Sequence, residues 1–242
     1  MKRLLVTTFC VLFSTAVSAQ DWSGQGEAGL VRASGNTDSE NFNVGLNFSK
    51  NGEVWKHEIG LGLYQASAGG QDSADSVFAD YTLKRDLDDR RFLFAGLNYL
   101  DDDFDGFTEQ TSISAGYGYR VILDDPNLWE VSLGLGYRDT AQAIRLDDGT
   151  EVEGEDVSGA TVVLASKFVR QLTDNTQFLD DFRADIGSDN TFVENDAALV
   201  VSMNEAFALK AGILIRYNSD PAPGADDTDT ITSLNLVYNF GG

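Results

Sequence analysis

Asn41-Phe42-Asn43-Val44-Gly45-Leu46-Asn47-Phe48-Ser49 sets Phe42, Val44, Leu46 and Phe48 on one side of an extended chain and Asn41, Asn43, Gly45, Asn47 and Ser49 on the other. Successive side chains of a strand point to opposite faces, so this nonapeptide is a strand with one apolar face and one polar or tiny face. Residues 128–139 repeat the pattern, with Trp129, Val131, Leu133, Leu135 and Tyr137 set against Glu130, Ser132, Gly134, Gly136 and Arg138. Residues 207–218 do so again, with Phe207, Leu209, Ala211, Ile213, Ile215 and Tyr217 on the apolar side. The same template places strands at 22–33, 40–50, 54–66, 76–85, 91–100, 108–121, 128–139, 157–170, 176–187, 192–203, 207–218 and 230–240. Alternation is weakest at 76–85 and 176–187, which makes ten the alternative to twelve strands.

The connections carry a second pattern. Short links at 51–53, 86–90, 122–127, 171–175 and 204–206 alternate with mostly longer ones at 34–39, 67–75, 101–107, 140–156, 188–191 and 219–229. Membrane barrels have short turns at one rim and longer loops at the other, with outward apolar and inward polar residues alternating along each strand. Strands of about eleven residues rise ~3.3 Å per residue and, tilted by ~45°, cover the roughly 25 Å apolar band of such barrels. The fold expected is therefore all-β, a transmembrane antiparallel up-and-down β-barrel of about twelve strands. On this topology Trp22, Phe48, Trp55, Tyr119, Trp129, Phe168, Phe178, Phe207, Tyr238 and Phe240 gather on the apolar face near the short-turn ends. Tyr99, Tyr137 and Tyr217 mark the other rim, and together they read as two aromatic girdles, the first anchored by Trp22, Trp55, Trp129, Tyr238 and Phe240. Ser166 and Asp180 fall on the apolar face against the pattern.

Met1, Lys2 and Arg3 followed by an apolar run to Val17, then Ser18 and Ala19, have the layout of a secretory signal peptide with cleavage expected after Ala19. The run is too short to span ~30 Å of hydrocarbon as a helix. Residues 1–19 are thus read as signal peptide and residues 20–242 as one barrel without an internal boundary, exported to the outer membrane of a Gram-negative envelope. The single cysteine, Cys10, leaves with the signal, so no disulfide or thiolate metal site is expected. Removing Lys2 and Arg3 leaves 15 bases against 39 acids, a net charge of −24. That charge repels phosphate backbones and excludes nucleic acid as a partner.

Trp22, Gly24 and Gly29 followed by Gly35-Asn36-Thr37-Asp38 resemble the opening of a family of salt-induced outer-membrane proteins of unknown function. The resemblance runs through the Gly-rich alternating strands to Leu236, Tyr238 and Phe240, and it implies a barrel location and an association with salt, with no assigned reaction. One departure is that Gly241 and Gly242 follow the terminal aromatic that insertion machinery reads in such barrels.

No enzyme is expected. The only histidine, His57, lies at the start of a strand at the short-turn side, and no Gly-x-Ser-x-Gly elbow occurs. Asp101-Asp102-Asp103-Phe104-Asp105-Gly106 places Asp101, Asp103 and Asp105 at the alternate positions of a calcium loop. Ser112 occupies the twelfth position where a bidentate Glu belongs, so the choice is between a weak divalent-cation site in an outer loop and a solvated hairpin tip. The polar face carries Glu27, Asp80, Lys84, Arg120, Glu130, Arg138, Lys167, Arg183, Asp185, Glu194, Asp196, Lys210 and Arg216, charges that inside a barrel need water or partners. Mixed signs favour a lumen at least partly plugged by pairing, and inward glycines either widen it or admit bulky neighbours. Three functions follow: a non-enzymatic structural envelope barrel responsive to osmotic conditions, a narrow diffusion channel, or a soluble periplasmic ligand-binding barrel. The last requires apolar side chains inside. The expected partners are outer-membrane lipid, lipopolysaccharide, and the export and barrel-assembly machinery, with the barrel itself a monomer.

Overall fold

The computed structural model describes residues 22–33, 39–68, 71–102, 107–145, 151–153, 156–221 and 227–241. The signal-peptide reading of residues 1–19 lies outside them. The strands are β1 (Trp22–Ala33), β2 (Ser39–Asn51), β3 (Trp55–Ala68), β4 (Gln71–Asp86), β5 (Arg91–Asp102), β6 (Phe107–Asp124) and β7 (Asn127–Arg145), followed by the short β8 (Glu151–Glu153). The second half adds β9 (Val157–Thr173), β10 (Thr176–Gly187), β11 (Thr191–Ser202), β12 (Phe207–Asn218) and β13 (Thr228–Phe240). Twelve of them pair antiparallel with their sequence neighbours, and β1 pairs with β13 from Gly24↔Phe240 to Gly29↔Asn235, which closes the ring. The barrel is therefore twelve-stranded, and the two strands with the weakest alternation are both in it as β4 and β10.

β8 is an addition. Glu151–Glu153 pairs with Ala143–Arg145 at the end of β7, a hairpin inside the stretch expected to be an irregular link. β6, β7 and β9 likewise run past their expected ends. Apolar alternation reports contact with lipid, whereas the hydrogen-bond ladder continues wherever two backbones stay in register, so the pattern stops before the strand does.

Short turns close the other rim with side-chain anchors. Asp88 accepts backbone N–H bonds from Arg90 (3.0 Å) and Arg91 (2.8 Å), and Asn204 Oδ1 accepts from Ala206 and Phe207 (both 2.9 Å). These are Asx turns, the local option that makes Asp and Asn good turn formers. The backbone bonds from Arg91 and Arg90 hold the exposed Asp88 carboxyl below the usual carboxylate range.

The two faces of the wall have inverted polarity for a water-soluble protein. Among the described residues fourteen buried side chains are polar or charged and eight are apolar, while Leu61, Ile113, Leu133, Leu135, Leu234 and Leu236 are exposed on the outside. A soluble barrel with an apolar interior is the opposite arrangement. Inside, Val200, Ala208 and Val237 pack with Leu179 towards the short-turn end of β10–β13. On the opposite wall, glycines admit inward aromatics: a Cβ at Gly62 would collide with Phe78, one at Gly118 with Phe92, and ones at Gly116 and Gly134 with Phe94. These four glycines thus make room for bulky inward neighbours.

Gly118→Ala is expected to push Phe92 off its seat and destabilise the barrel by about 1–3 kcal/mol, the usual cost of overpacking a filled site. A lower transition temperature for loss of the heat-modifiable folded band would show it; an unchanged transition would mean that Phe92 moves freely.

Candidate functional site: the charged lumen

Alternation directs Glu27 on β1, Glu58 on β3, Asp80 and Lys84 on β4, Arg120 on β6, and Glu130 and Arg138 on β7 into the barrel. Lys167 on β9, Arg183 on β10, Glu194 and Asp196 on β11, and Lys210 and Arg216 on β12 join them from the other half. Closure brings together groups far apart in sequence. Arg120 donates to Glu130 (Nε to Oε1, 2.9 Å) and to Asp86 (Nη2 to Oδ1, 2.7 Å). Lys84 Nζ donates to the other oxygen of Glu130 (2.7 Å) and to Glu58 (2.9 Å), and Lys56 lies 3.2 Å from Asp86. Phe92 lies beneath both cations, its ring centre 4.9 Å from the Arg120 guanidinium carbon and 5.5 Å from Lys84 Nζ.

The series ends on Lys167 Nζ, 3.8 Å from Glu58 Oε2. β3 and β9 are five strands apart one way round the ring and seven the other, almost opposite each other. A circular barrel of twelve strands spaced ~4.8 Å and tilted about 40° would be roughly 24 Å across between backbones. Lysine and glutamate side chains together reach about 11 Å. The two backbones therefore approach to about 15 Å at this level, and the cross-section is flattened where the pair bridges it.

Two further groups lie along the lumen. Lys210 Nζ sits 3.4 Å from Glu27 and 3.5 Å from Asp196. Towards the long-loop end Arg183 makes a two-toothed contact with Asp185 (2.9 and 3.0 Å) and Arg216 donates to Glu194 (2.9 Å). Arg138 donates to the backbone oxygen and Oδ1 of Asn190 (3.1 and 2.9 Å), and Asn190 in turn donates to Asn218 (2.6 Å). Pairing does not exclude water everywhere: the inward side chains of Lys167, Asp196 and Glu194 are 42, 40 and 37% exposed, against 3% for Arg120. Solvent thus reaches the β9–β11 side of the lumen, while the β4–β7 side is filled.

Three members of this network, Lys56, Glu58 and Asp86, are not among the inward charges expected from the sequence. The first two share the inward parity of Gly60 and Gly62, so alternation along β3 carries the signal that places them. Asp86 falls in the expected 86–90 link by its sequence and is the last residue of β4 in the fold. Of the other candidates, Asp101 is the end of an ion-ligand pattern whose Asp103 and Asp105 lie outside the described residues. His57 faces outward and shares a 2.9 Å hydrogen bond with Tyr81. Trp22, Trp55, Trp129, Tyr238 and Phe240 face outward near the short-turn rim, with Phe48, Phe240, Tyr238 and Phe207 in one run of ring contacts and Trp129, Phe168 and Phe178 in another. The two polar residues on that face have partners, since Trp129 Nε1 donates to Ser166 (3.1 Å) and Asn195 donates to Asp180 (3.0 Å).

Glu130 is the hub, because it neutralises two nearly inaccessible cations at once. Removing one partner of a buried pair leaves an uncompensated charge, at a cost of about 3–5 kcal/mol. Glu130→Ala is expected near that range by guanidinium unfolding in micelles. Glu58→Ala, whose carboxylate is about one-third exposed, should cost clearly less, since solvent screens the loss. Equal effects of the two changes would refute the hub role.

The translocator domain of autotransporter NalP from Neisseria meningitidis is similar at a TM-score of 0.49 and 14% identity, over 91% of this chain and 88% of that one. The COG4313 outer membrane channel from Pseudomonas putida F1 gives 0.49 and 10%, over 90% and 94%. In sequence, the uncharacterized protein YdiY of Escherichia coli K12 is 26% identical over 235 residues, 97% of this chain and 89% of the relative. Residues 26–240 match the profile of a family described as proteins of unknown function, DUF481. With nearly the whole barrel from β1 to β13 inside that match, the chain belongs to the DUF481 family.

Proposed function

We propose that the protein is a non-enzymatic barrel of the bacterial outer membrane whose lumen is held narrow by its own ion pairs. The observation that carries this reading is the Glu58–Lys167 bridge between nearly opposite walls, at the end of a continuous series through Lys84, Glu130, Arg120 and Asp86. An apolar outer wall with aromatic rims supports the membrane placement, the short turns facing the periplasm and the long loops outward. The non-enzymatic part is supported by His57, whose partners are Tyr81 and Trp22 on the outer wall and not a nucleophile. A service to the envelope under osmotic stress is the finer reading, carried by the family resemblance and by 39 acids in a chain of 242 residues. A deletion strain growing as well as its parent across a salt series would count against it.

A second reading, a narrow channel for small ions, is favoured by the wet side chains of Lys167, Glu194 and Asp196. Planar-bilayer recording separates the two. The wild-type barrel is expected to be silent or to pass only small steps, and Lys167→Ala, which cuts the cross-lumen bridge, to raise the conductance severalfold. Large wild-type steps insensitive to Lys167→Ala would reject the bridge as the constriction.

A further inference from the structure

Arg138 is the exception among the charges of the lumen. Each of the seven other inward cations has a carboxylate oxygen within 3.8 Å. Among the described residues Arg138 has no such partner, and its Nη2 donates only to the neutral Asn190. The residue is 5% exposed, and Nη1 is buried without a hydrogen-bond partner in the protein. A guanidinium keeps its proton, so this charge has left water without an acid to meet it. Arg183 and Asp185 lie within electrostatic reach, but they are engaged with each other through the two-toothed contact. Two arginines against one aspartate leave the group with an uncompensated positive charge.

A second buried polar atom without a partner belongs to a neighbouring residue. Gly159 stands opposite Arg138 in the β7–β9 ladder, and Thr161 stands opposite Gly136 on one side and Gly187 on the other. Thr161 is thus the diagonal neighbour of Arg138 on the inward face, within reach of a long side chain. Its hydroxyl is buried and makes no hydrogen bond within the protein. Glycine at 159 keeps the space beside them open, since a Cβ there would meet no atom within 4 Å. Arg138, Gly159, Thr161 and Asn190 line one cavity of about 20 Å³ at the long-loop end of the lumen. One water needs about 10–15 Å³ by the same measure, so the cavity takes a single water-sized or monatomic species. The guanidinium is planar, and its two Nη2 bonds to Asn190 fix the direction of Nη1.

We propose that this cavity binds one small inorganic anion of chloride size, with Arg138 Nη1 and the Thr161 hydroxyl both donating to it. Charge favours the anion over water, because a neutral occupant leaves the buried guanidinium uncompensated. Asp189 also lines the cavity, but it is exposed and accepts from the Ser188 hydroxyl at 2.8 Å. Solvent screens its carboxylate, which lowers the affinity without cancelling the buried charge. The site belongs to the barrel wall and does not depend on whether the lumen conducts.

The test is the chloride NMR linewidth in the presence of the folded mature chain in a nonionic detergent. Sodium chloride is titrated at an ionic strength held constant with sodium gluconate, whose anion is too large for the cavity. Wild type is expected to broaden the chloride line saturably, because a bound ion tumbles with the micelle, and bromide is expected to compete the broadening away. Thr161→Val, which keeps the side-chain shape and removes the hydroxyl, should weaken binding roughly tenfold, the contribution of one hydrogen bond to an ion. Arg138→Gln should abolish the saturable part. Gly159→Val, which puts methyl groups into the cavity and leaves Arg138 intact, should do the same, and it serves if heat-modifiable mobility shows that Arg138→Gln does not fold. Absence of saturable broadening by wild type overturns the inference and leaves the cavity to water. Unchanged broadening by a folded Arg138→Gln or Gly159→Val variant also overturns it, by assigning the ion to other cations of the barrel.

Discussion

The ladder between β1 and β13 is the joint on which the molecule depends, because an open sheet would leave two rows of unpaired N–H and C=O groups facing hydrocarbon. Each such group costs several kcal/mol where no water can replace the missing bond. The joint spans Gly24 to Gly29 against Asn235 to Phe240, and glycine allows its neighbours to lean across it. A side chain at Gly24 would collide with the Phe240 ring on the outside, and one at Gly29 with Asn43 and Asn235 on the inside. Those two asparagines join over Gly29 at 2.9 Å, so the seam is clasped from within the lumen as well as by its backbone.

Once the ring is closed, every residue is committed to lipid or lumen, and the charges on the inner face have only one another and a limited amount of water. Their pairing is asymmetric. On the β4–β7 side, phenylalanines seated over glycines and the Arg120–Glu130–Lys84 group fill the interior; on the β9–β11 side, lysine and carboxylates remain wet. Ion pairs of this kind add less to net stability than their Coulomb attraction implies, because each ion has first lost its hydration. Their larger consequence here is geometric, since the Glu58–Lys167 contact holds two nearly opposite walls closer than a circular section would place them.

The outer wall solves a different problem with the same residue types. Cations there have no luminal acid to meet, so Arg85 turns to the Trp55 ring and Arg91 to the turn residue Asp88. Polar side chains that face lipid are likewise tied down locally, Ser166 by Trp129 and Asp180 by Asn195.

Alternation at residues 41–49, 128–139 and 207–218 was sufficient to read strands, faces and the barrel class, because a period of two is a property of the backbone and each strand carries its own copy of the signal. The parity of Arg120, Glu130 and Lys167 was legible for the same reason. The ends of β6 and β7, and the hairpin with β8, were not, since pairing beyond the lipid leaves no apolar imprint. Nor could any local pattern say that Lys84 meets Glu130, 46 residues away, or that Glu58 meets Lys167. By itself, then, the sequence determined which residues face inward and which face lipid. Only the tertiary structure decided who pairs with whom and how wide the lumen is, because partnership across a barrel is set by ring closure, stagger and tilt, which are properties of all twelve strands together.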